Sequence, residues 1–453
     1  MRIYNALSKQ TQDFNVSNDT VNMYVCGITP YDSAHLGHAM SAVVFDMIRR
    51  YFEFKGFNVN YIQNFTDVDD KMINAANLQN IDVSELAEKN IAEYLDELKS
   101  LNVKVATKYP KATEEIPAII ELILQLIENN FAYEIDGDVY FRVNSDEDYG
   151  KLSNRKIQDL LSGARLEIDE NKEFPADFAL WKKQKPGEPF WSSPWGNGRP
   201  GWHIECSAMA LKYLGDSIDI HGGGIDLVFP HHENEIAQSE SATGRTPFAS
   251  FWVHNGTLGY GQEKMSKSIG NVFSISSALE KFSSDSLRMF FLSSHYRSPL
   301  IFSDSAINSQ EKALDRLRNA IKVESQNGEE LEFRQYVDRF IEAMDDDFNT
   351  PIALSVLFDL SRDINREATN GKNVFKAQKT LLELSNVLGV KLDSRKIEKD
   401  SNVEGFIDLL IDLRSVMRDK KDFETSDLIR DRLTSLGVKL EDSSGKTDWN
   451  WID

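Results

Sequence analysis

The feature that most constrains the fold is a strand, a loop containing glycine and proline, a helix and a second strand, all within the first 65 residues. Residues 21–25 read as a short strand, and 59–62 as the next. Between them, apolar side chains recur at helical spacing from Met40 to Phe52, and Gly56 stands where a helix can end. This order predicts a βαβ unit, whose loop leads into a helix N-terminus where α/β proteins bind phosphates.

Two histidines lie in that loop. His35 and His38 are three residues apart, with Gly37 between them. At the start of a helix, positions i and i+3 share a face, so both imidazoles can point at one ligand, and Gly37 lets that ligand approach the backbone. Taken alone, the pair also fits two unrelated surface histidines near a helix cap.

A second motif decides between these interpretations. Residues 264–268 read Lys-Met-Ser-Lys-Ser, a fully specified pentapeptide. Lys264 and Lys267 can meet a triphosphate together, because their ammonium groups are three residues apart. Nearby glycines leave the segment free to close over a ligand: Gly256, Gly259, Gly261 and Gly270. The alternative is a solvated loop of lysine and serine.

Together the two motifs resemble the signatures of class I aminoacyl-tRNA synthetases. The first is similar to the family's His-Ile-Gly-His, with Leu36 in place of isoleucine, and the second matches at all five positions. The resemblance implies ATP-dependent activation of an amino acid. It implies ATP binding by His35, Gly37, His38 and Lys267. It implies catalytic roles for His35, His38, Lys264 and Lys267.

The two cysteines of this 453-residue chain cannot form a disulfide framework, but their positions are informative. Cys26 directly precedes the histidine loop, and Cys206 lies 180 residues later. Following Pro230, which can start a helix, His231 and Glu235 share a helix face at i and i+4. Two thiolates, an imidazole and a carboxylate would make a plausible zinc site. With no C-x-x-C pair, buried structural cysteines fit the spacing better when these residues are taken alone.

A narrower resemblance adds a reason for the metal. The segments 201–207, 221–224 and 230–235 are together similar to the cysteinyl-tRNA synthetase family, and the similarity covers nearly the whole chain. It implies one active-site zinc ion on Cys26, Cys206, His231 and Glu235. It implies a cysteine pocket formed by Gly27, Thr66, Trp202 and Asp226. For Thr66, an N-cap of the helix before Asp69 is an equal alternative.

Zinc would serve such an enzyme because cysteine and serine differ by one atom. A pocket that sorts by volume gains only about 1 to 3 kcal/mol from so small a difference. Zinc, a borderline-soft ion, binds a thiolate well and a hydroxyl poorly. The resemblance therefore implies L-cysteine, ATP with Mg²⁺ and tRNA(Cys) as substrates, and Zn²⁺ as a cofactor.

The chain is predicted to be an α/β protein with a Rossmann-like parallel-sheet catalytic domain, followed by an α-helical C-terminal region. The catalytic domain is expected over residues 1–305, with an insertion at roughly 110–200. A helical bundle is expected over 306–395, because strand signals stop near residue 305. After a polar stretch at 396–404, a small domain is expected over 402–453.

The small domain combines an apolar helix face with a basic cluster. The predicted apolar face comprises Phe406, Leu409, Leu410, Leu413, Val416 and Met417. The cluster comprises Arg414, Arg418, Lys420, Lys421, Arg430 and Arg432. The resemblance implies that this domain reads the tRNA anticodon. Without the resemblance, a solvated helix face explains the cluster equally well.

The composition limits the remaining possibilities. The formal net charge of −21 argues against a protein that coats nucleic acid indiscriminately, although it permits a local basic surface for one RNA. No apolar run approaches a membrane span and nothing begins like a signal peptide, so we expect a cytoplasmic monomer with no membrane partner. Two alternatives stay open: a ligase that joins cysteine to an amino sugar, and a non-catalytic zinc or nucleotide sensor.

Overall fold

The computed structural model describes the chain except for residues 17–18, 158–171, 261–262, 265–272, 393–400, 437, 444–445 and 452–453. The chain forms two compact units, Met1–Asp393 and Ser394–Asp453. Among the described residues, none of the helices combines the length and the apolar character needed to cross a membrane.

The first 130 residues contain the predicted βαβ unit. Their elements, in chain order, are β1 (Arg2–Asn5), β2 (Gln10–Asp13), β3 (Thr20–Ile28), α1 (Leu36–Phe54), β4 (Asn58–Phe65), α2 (Asp70–Gln79), α3 (Val83–Ser100) and α4 (Ile116–Glu128). Strands β3 and β4 pair in parallel, in register from Thr20 with Asn58 to Ile28 with Phe65. The helix between them buries an apolar face of residues such as Met40, Val43 and Met47. Hydrophobic periodicity therefore predicted this unit correctly.

An antiparallel sheet follows and interrupts the parallel fold. Its strands are β5 (Ala132–Ile135), β6 (Asp138–Phe141), β7 (Phe178–Lys183), β8 (Trp191–Ser193) and β9 (Gly196–Pro200), in the order β5-β6-β7-β9-β8. Trp181 of β7 and Phe141 of β6 are fully buried in a cluster with Ile119 and Ile123 of α4. This sheet lies within the segment predicted as an insertion.

The parallel sheet then resumes with α5 (Trp202–Leu214), β10 (Ile218–Gly224), α6 (Glu233–Thr243) and β11 (Ala249–Asn255). The strand order is β11-β10-β3-β4, and all neighbours are parallel. From the central pair β3 and β10, one crossover leads to β4 and the other to β11 on opposite sides. The carboxyl ends of β3 and β10 therefore form the switch point at which open α/β sheets bind ligands.

The rest of the first unit is mostly helical. Its elements are β12 (Leu258–Tyr260), β13 (Glu263–Lys264), α7 (Ile275–Lys281), α8 (Ser284–Leu292), β14 (Leu300–Phe302), α9 (Asp304–Lys322), α10 (Arg334–Asp345), α11 (Thr350–Thr369) and α12 (Phe375–Val387). Strand β12 pairs with β13 and β14. Asn349 caps α11 and Pro351 lies in its first turn, where the fixed backbone angle of proline favours a helix start. The α/β fold followed by helices is thus confirmed.

The second unit corrects two expectations. It comprises α13 (Ser401–Asp419), α14 (Phe423–Ser435) and the antiparallel hairpin of β15 (Val438–Ser443) and β16 (Lys446–Trp451), so it is not wholly helical. On α13 the packed face is Ile407, Ile411 and Arg414, whereas Phe406 and Leu409 are exposed. The helix has apolar residues on two faces. Its contacts with α14 and the hairpin bury the face that carries Ile407 and Ile411, and hydrophobic periodicity alone does not predict those contacts.

Candidate active site

Four potential metal donors meet at the switch point. Cys26 lies near the carboxyl end of β3, Cys206 on α5, Glu235 on α6 and His231 just before α6. All four are buried, and one donor atom from each lies within 4.8 Å of all the others. The structure therefore brings together the four residues that the sequence predicted as zinc ligands.

The spacing of the donor atoms fits a tetrahedral zinc ion. The sulfur atoms of Cys26 and Cys206 are 3.8 Å apart, and Cys26 Sγ lies 3.3 Å from Glu235 Oε1. His231 Nε2 is 3.1 Å from the same carboxylate oxygen. Bonds of about 2.0 to 2.3 Å to a tetrahedral ion place ligand atoms roughly 3.3 to 3.8 Å from one another. Both distances to the Cys26 sulfur fall in that range, and the nitrogen–oxygen distance is slightly shorter. Both cysteines are free thiols, so no disulfide competes with this arrangement.

The electrostatics of the four donors also suit a cation. Burial raises the pKa of the Cys26 thiol well above its usual range. Burial lowers the pKa of His231 well below its usual range, which keeps the imidazole in the neutral form that binds metals. A thiolate in this pocket needs a positive charge beside it, and a divalent cation would supply that charge.

Other histidines surround the donor set. His221 Nε2 lies 2.8 Å from Glu235 Oε2, and its ring stacks on Trp252 with 4.3 Å between centroids. Such contacts orient a ligating carboxylate. A second overlapping group, in which His221 and His232 join Cys26 and Glu235, also has its donor atoms within 4.8 Å. No role was predicted for His221 from the sequence, although it begins the segment 221–224 that carries the family resemblance and was therefore the available signal.

Trp202 and Gly27 flank the donor set. Trp202 begins α5, and its ring centroid lies 4.4 Å from that of His231, with 39% of the side chain exposed. Gly27 follows Cys26, and its backbone N–H donates to Asn64 Oδ1 at 2.9 Å. A Cβ atom on Gly27 would lie 1.6 Å from the Asn64 carbonyl oxygen, so no side chain fits there.

The two other predicted pocket residues differ in their surroundings. Thr66 is buried, and its hydroxyl accepts from Asn64 Nδ2 at 3.4 Å. Asp69, not Thr66, caps α2 by accepting from the Met72 N–H at 2.7 Å, so the capping alternative for Thr66 is wrong. Asp226 is exposed on the short turn after β10, and no measured contact joins it to the donor set.

The histidine loop has a defined geometry. His35 is the N-cap of α1, and the rings of His35 and His38 stack 3.7 Å apart. His35 Nδ1 accepts from the Gly37 N–H, and His38 Nδ1 accepts from the His35 N–H. Because Nδ1 accepts in both rings, each neutral imidazole carries its proton on Nε2, the atom that can donate to a phosphate oxygen.

The lysine motif is described only in part. Lys264 lies in β13, whereas Met265, Ser266, Lys267 and Ser268 lie outside the described residues. The segment that follows them pairs with the histidine loop. Leu36 N–H donates to the Phe273 carbonyl at 3.0 Å, and Ile275 N–H donates to the Ala34 carbonyl at 3.1 Å. Backbone hydrogen bonds therefore hold the residues that follow the lysine motif against the histidine loop.

A cavity of about 540 Å³ lies between the inserted sheet and α5. Trp202 and His203 form one wall, and Arg199 of β9 forms part of another. The Arg199 side chain is almost fully buried, contacts Asp70 at the start of α2 and reaches Glu188 at 3.2 Å. This ion pair ties the insertion to the parallel-sheet domain beside the predicted cysteine pocket.

In the second unit, the predicted basic cluster is partly self-neutralised. Arg414 is buried and donates through both terminal nitrogens to Asp442 at 2.8 Å. Arg418 and Arg430 contact the same carboxylate. Arg414 is thus a packing residue and not part of an exposed basic surface. The remaining members of the predicted cluster are exposed and lie outside this contact with Asp442: Lys420, Lys421 and Arg432.

Comparison with known proteins agrees with this geometry. Residues 12–312 match the family described as tRNA synthetases class I (C) catalytic domain, and residues 339–393 match the DALR domain. The chain is 52% identical over 454 residues to a cysteine–tRNA ligase of Dehalococcoides mccartyi, covering 99% of both chains. It is 49% identical over 467 residues to a cysteine–tRNA ligase of Carboxydothermus hydrogenoformans, covering 100% of both.

The fold is similar to that of a solved Mycobacterium tuberculosis methionyl-tRNA synthetase in complex with methionyl-adenylate. That likeness has a TM-score of 0.60 at 16% identity and covers 82% of this chain and 89% of the other, so it concerns the fold alone. The sequence matches also identify the family, because they span the whole chain at about half identity. The chain therefore belongs to the class I aminoacyl-tRNA synthetases, as a member of the cysteine–tRNA ligase family.

Proposed function

We propose that this protein activates L-cysteine with ATP to form cysteinyl-adenylate and then transfers the cysteine to tRNA(Cys). The observation that carries the proposal is the convergence of two thiols, an imidazole and a carboxylate at the switch point of a class I synthetase fold. A buried thiol-binding metal pocket is what an enzyme needs to choose cysteine over serine.

Cys26, Cys206, His231 and Glu235 would hold the zinc ion. When bound, Zn²⁺ supplies an electron-pair acceptor that favours a thiolate over a hydroxyl. Trp202 and Gly27 would form the wall and floor of the cysteine pocket, since both adjoin ligands of the donor set. Thr66 would contact the substrate from its place after β4, and the Asp226 carboxylate would pair with its ammonium group.

In the activation step, a carboxylate oxygen of cysteine attacks the α-phosphorus of ATP, and the bond from that phosphorus to the β-phosphate oxygen breaks. His35 and His38 would donate through Nε2 to the phosphates, and the Gly37 backbone leaves room for them. Lys264 and Lys267 would hold the departing pyrophosphate, with Mg²⁺ brought by ATP. A ribose hydroxyl of the tRNA terminus then attacks the carbonyl carbon, and AMP leaves.

We place the catalytic domain at residues 1–305, the helical bundle at 306–395 and an anticodon-reading domain at 402–453. Lys420 and Lys421 are exposed and could meet RNA phosphates, whereas Arg414 is engaged with Asp442. We also propose that the protein acts as a monomer in the cytoplasm.

Charging of total tRNA with labelled cysteine, compared with labelled serine and methionine, tests this function. We expect only cysteine to become attached, and a zinc chelator to stop the reaction. Cysteine-dependent pyrophosphate exchange without attachment to tRNA would favour the amino-sugar ligase. Absence of both pyrophosphate exchange and attachment to tRNA would favour the non-catalytic sensor.

A further inference from the structure

Helix α3 carries two buried polar side chains that neither signature motif explains. Asn90 and Glu97 are each 6% exposed, and their positions are seven apart in sequence, about two helical turns, so they lie on one face. A buried amide and a buried carboxylate are costly to retain unless they make specific hydrogen bonds. Their partners therefore indicate what this helix face does.

Asn90 holds the beginning of the histidine loop. Its Nδ2 donates to the Pro30 carbonyl oxygen at 2.7 Å, in a buried contact across 60 residues of sequence. Pro30 lies between Cys26, at the end of β3, and His35, at the start of α1. This hydrogen bond therefore fixes the path of the chain between the donor set and the histidines.

Glu97 binds the start of α7, next to the segment that is hydrogen-bonded to the end of the same loop. Its Oε1 accepts from the Ser276 N–H at 2.9 Å, at the start of α7. Just before Ser276, the run 273–275 makes its two backbone hydrogen bonds to Ala34 and Leu36, on either side of His35. No described Lys, Arg or His lies within ion-pair distance of Glu97, so its function is that of a hydrogen-bond acceptor.

We propose that Asn90 and Glu97 are positioning residues for the activation step, which act through the backbone at Pro30 and Ser276 to set the position of His35. The proposal rests on the proposed function, because His35 is assigned there to the ATP phosphates. A shift of the imidazole by a fraction of an ångström changes its hydrogen bond to the transferring phosphoryl group more than it changes cysteine binding.

The test is cysteine-dependent pyrophosphate exchange by the full-length protein with zinc bound. For Glu97→Ala we expect kcat to fall about 10-fold while KM for cysteine and zinc content stay within about twofold of the wild type. Glu97→Gln retains an acceptor oxygen and should restore kcat to within about twofold. Asp96→Ala, a neighbour on the same helix that lies closer to solvent, is the matched control and should leave the reaction unchanged.

Asn90→Ala provides a second measurement, because it leaves Glu97 in place. We expect the same lowering of kcat at constant KM for cysteine. If circular dichroism shows that Glu97→Ala has lost the fold, the result for Asn90→Ala alone tests the proposal. Wild-type kcat in both alanine variants would overturn the proposal, and so would a loss of kcat in Glu97→Gln as large as that in Glu97→Ala. Absence of exchange in the wild type would instead contradict the proposed function.

Discussion

Charged or polar side chains converge at two places in this protein, and the two clusters differ in how their charges are balanced. At the switch point, two thiols, an imidazole and a carboxylate meet in a buried pocket. In the second unit, three arginines meet the carboxylate of Asp442. The first cluster contains only electron-pair donors, whereas the second contains both members of each ion pair.

This difference separates a binding site from a structural cluster. Burial raises the pKa of the Cys26 thiol, so ionised thiols are stable in this pocket only beside a cation. Hydrogen bonds from Arg414 instead lower the pKa of Asp442, so that cluster is complete as it stands. Convergence alone therefore does not identify a metal site, whereas the chemistry of the donor atoms does.

The largest effect is expected from removing a donor at the switch point. Cys206→Ser replaces a thiolate ligand with a hydroxyl that zinc binds poorly. We expect loss of bound zinc, measured by atomic absorption, and a fall of at least about 100-fold in cysteine-dependent pyrophosphate exchange.

Ser207→Ala is the matched control, since Ser207 is the next residue of α5 and is also buried, and its hydroxyl donates to the Glu235 backbone carbonyl at 3.4 Å rather than to any of the four donor atoms. It should keep its zinc. Retained zinc with normal exchange in Cys206→Ser would mean that the four donors do not form the metal site.

A smaller effect is expected from breaking the second cluster. Asp442→Asn leaves the Arg414 guanidinium, which is 2% exposed, without its charge partner. We expect the second unit to lose about 1 to 3 kcal/mol of stability. Hydrogen exchange in the intact protein should show faster exchange confined to residues 401–451, with pyrophosphate exchange unaffected.

The control is Asp419→Asn, which removes an exposed carboxylate at the end of α13. Equal protection in both variants would show that the arginine cluster contributes nothing measurable to folding of this unit.

The same contrast explains which features the sequence could predict. The βαβ unit was predictable because local hydrophobic periodicity specifies its helix and strands. The four donors were predictable only through motif resemblance, since Cys26 and Cys206 are 180 residues apart and their meeting depends on the sheet order. The hairpin of β15 and β16 was missed because its strands are polar and make their contacts within one small unit.

The arginine cluster was misread for a related reason. A run of basic residues on a helix predicts an exposed positive face, but Arg414 turns inward to Asp442, which lies on a strand the sequence did not indicate. The contacts of His221 with Glu235 and of Glu97 with Ser276 were also not predictable, because each joins residues that are brought together only by tertiary folding.

A third carboxylate extends the comparison. Glu97 is buried, and no described Lys, Arg or His lies within ion-pair distance of it, whereas Asp442 is exposed and paired with three arginines. Burial raises the pKa of Glu97 to about 7, opposed by the hydrogen bond from Ser276 and reinforced by the charge of Glu93; Tyr94 is another titratable group beside it. A raised folded-state pKa contributes stability that is fully present below the unfolded value of about 4.3 and is lost as pH rises towards 7. Asp442, with its lowered pKa, has the opposite sign: its contribution is lost as pH falls.

Glu97→Gln cannot ionise, so its difference from the wild type should depend on pH. We expect the Tm of the variant relative to the wild type to be higher at pH 8 than at pH 5 by about 2 °C, measured by differential scanning calorimetry of the zinc-bound protein. Glu93→Gln, on the adjacent turn of α3 and less buried, should show a smaller change over the same range. A Tm difference that stays constant from pH 5 to pH 8 would mean that Glu97 is ionised throughout, and that its contact with the Ser276 N–H stabilises the carboxylate enough to offset its burial.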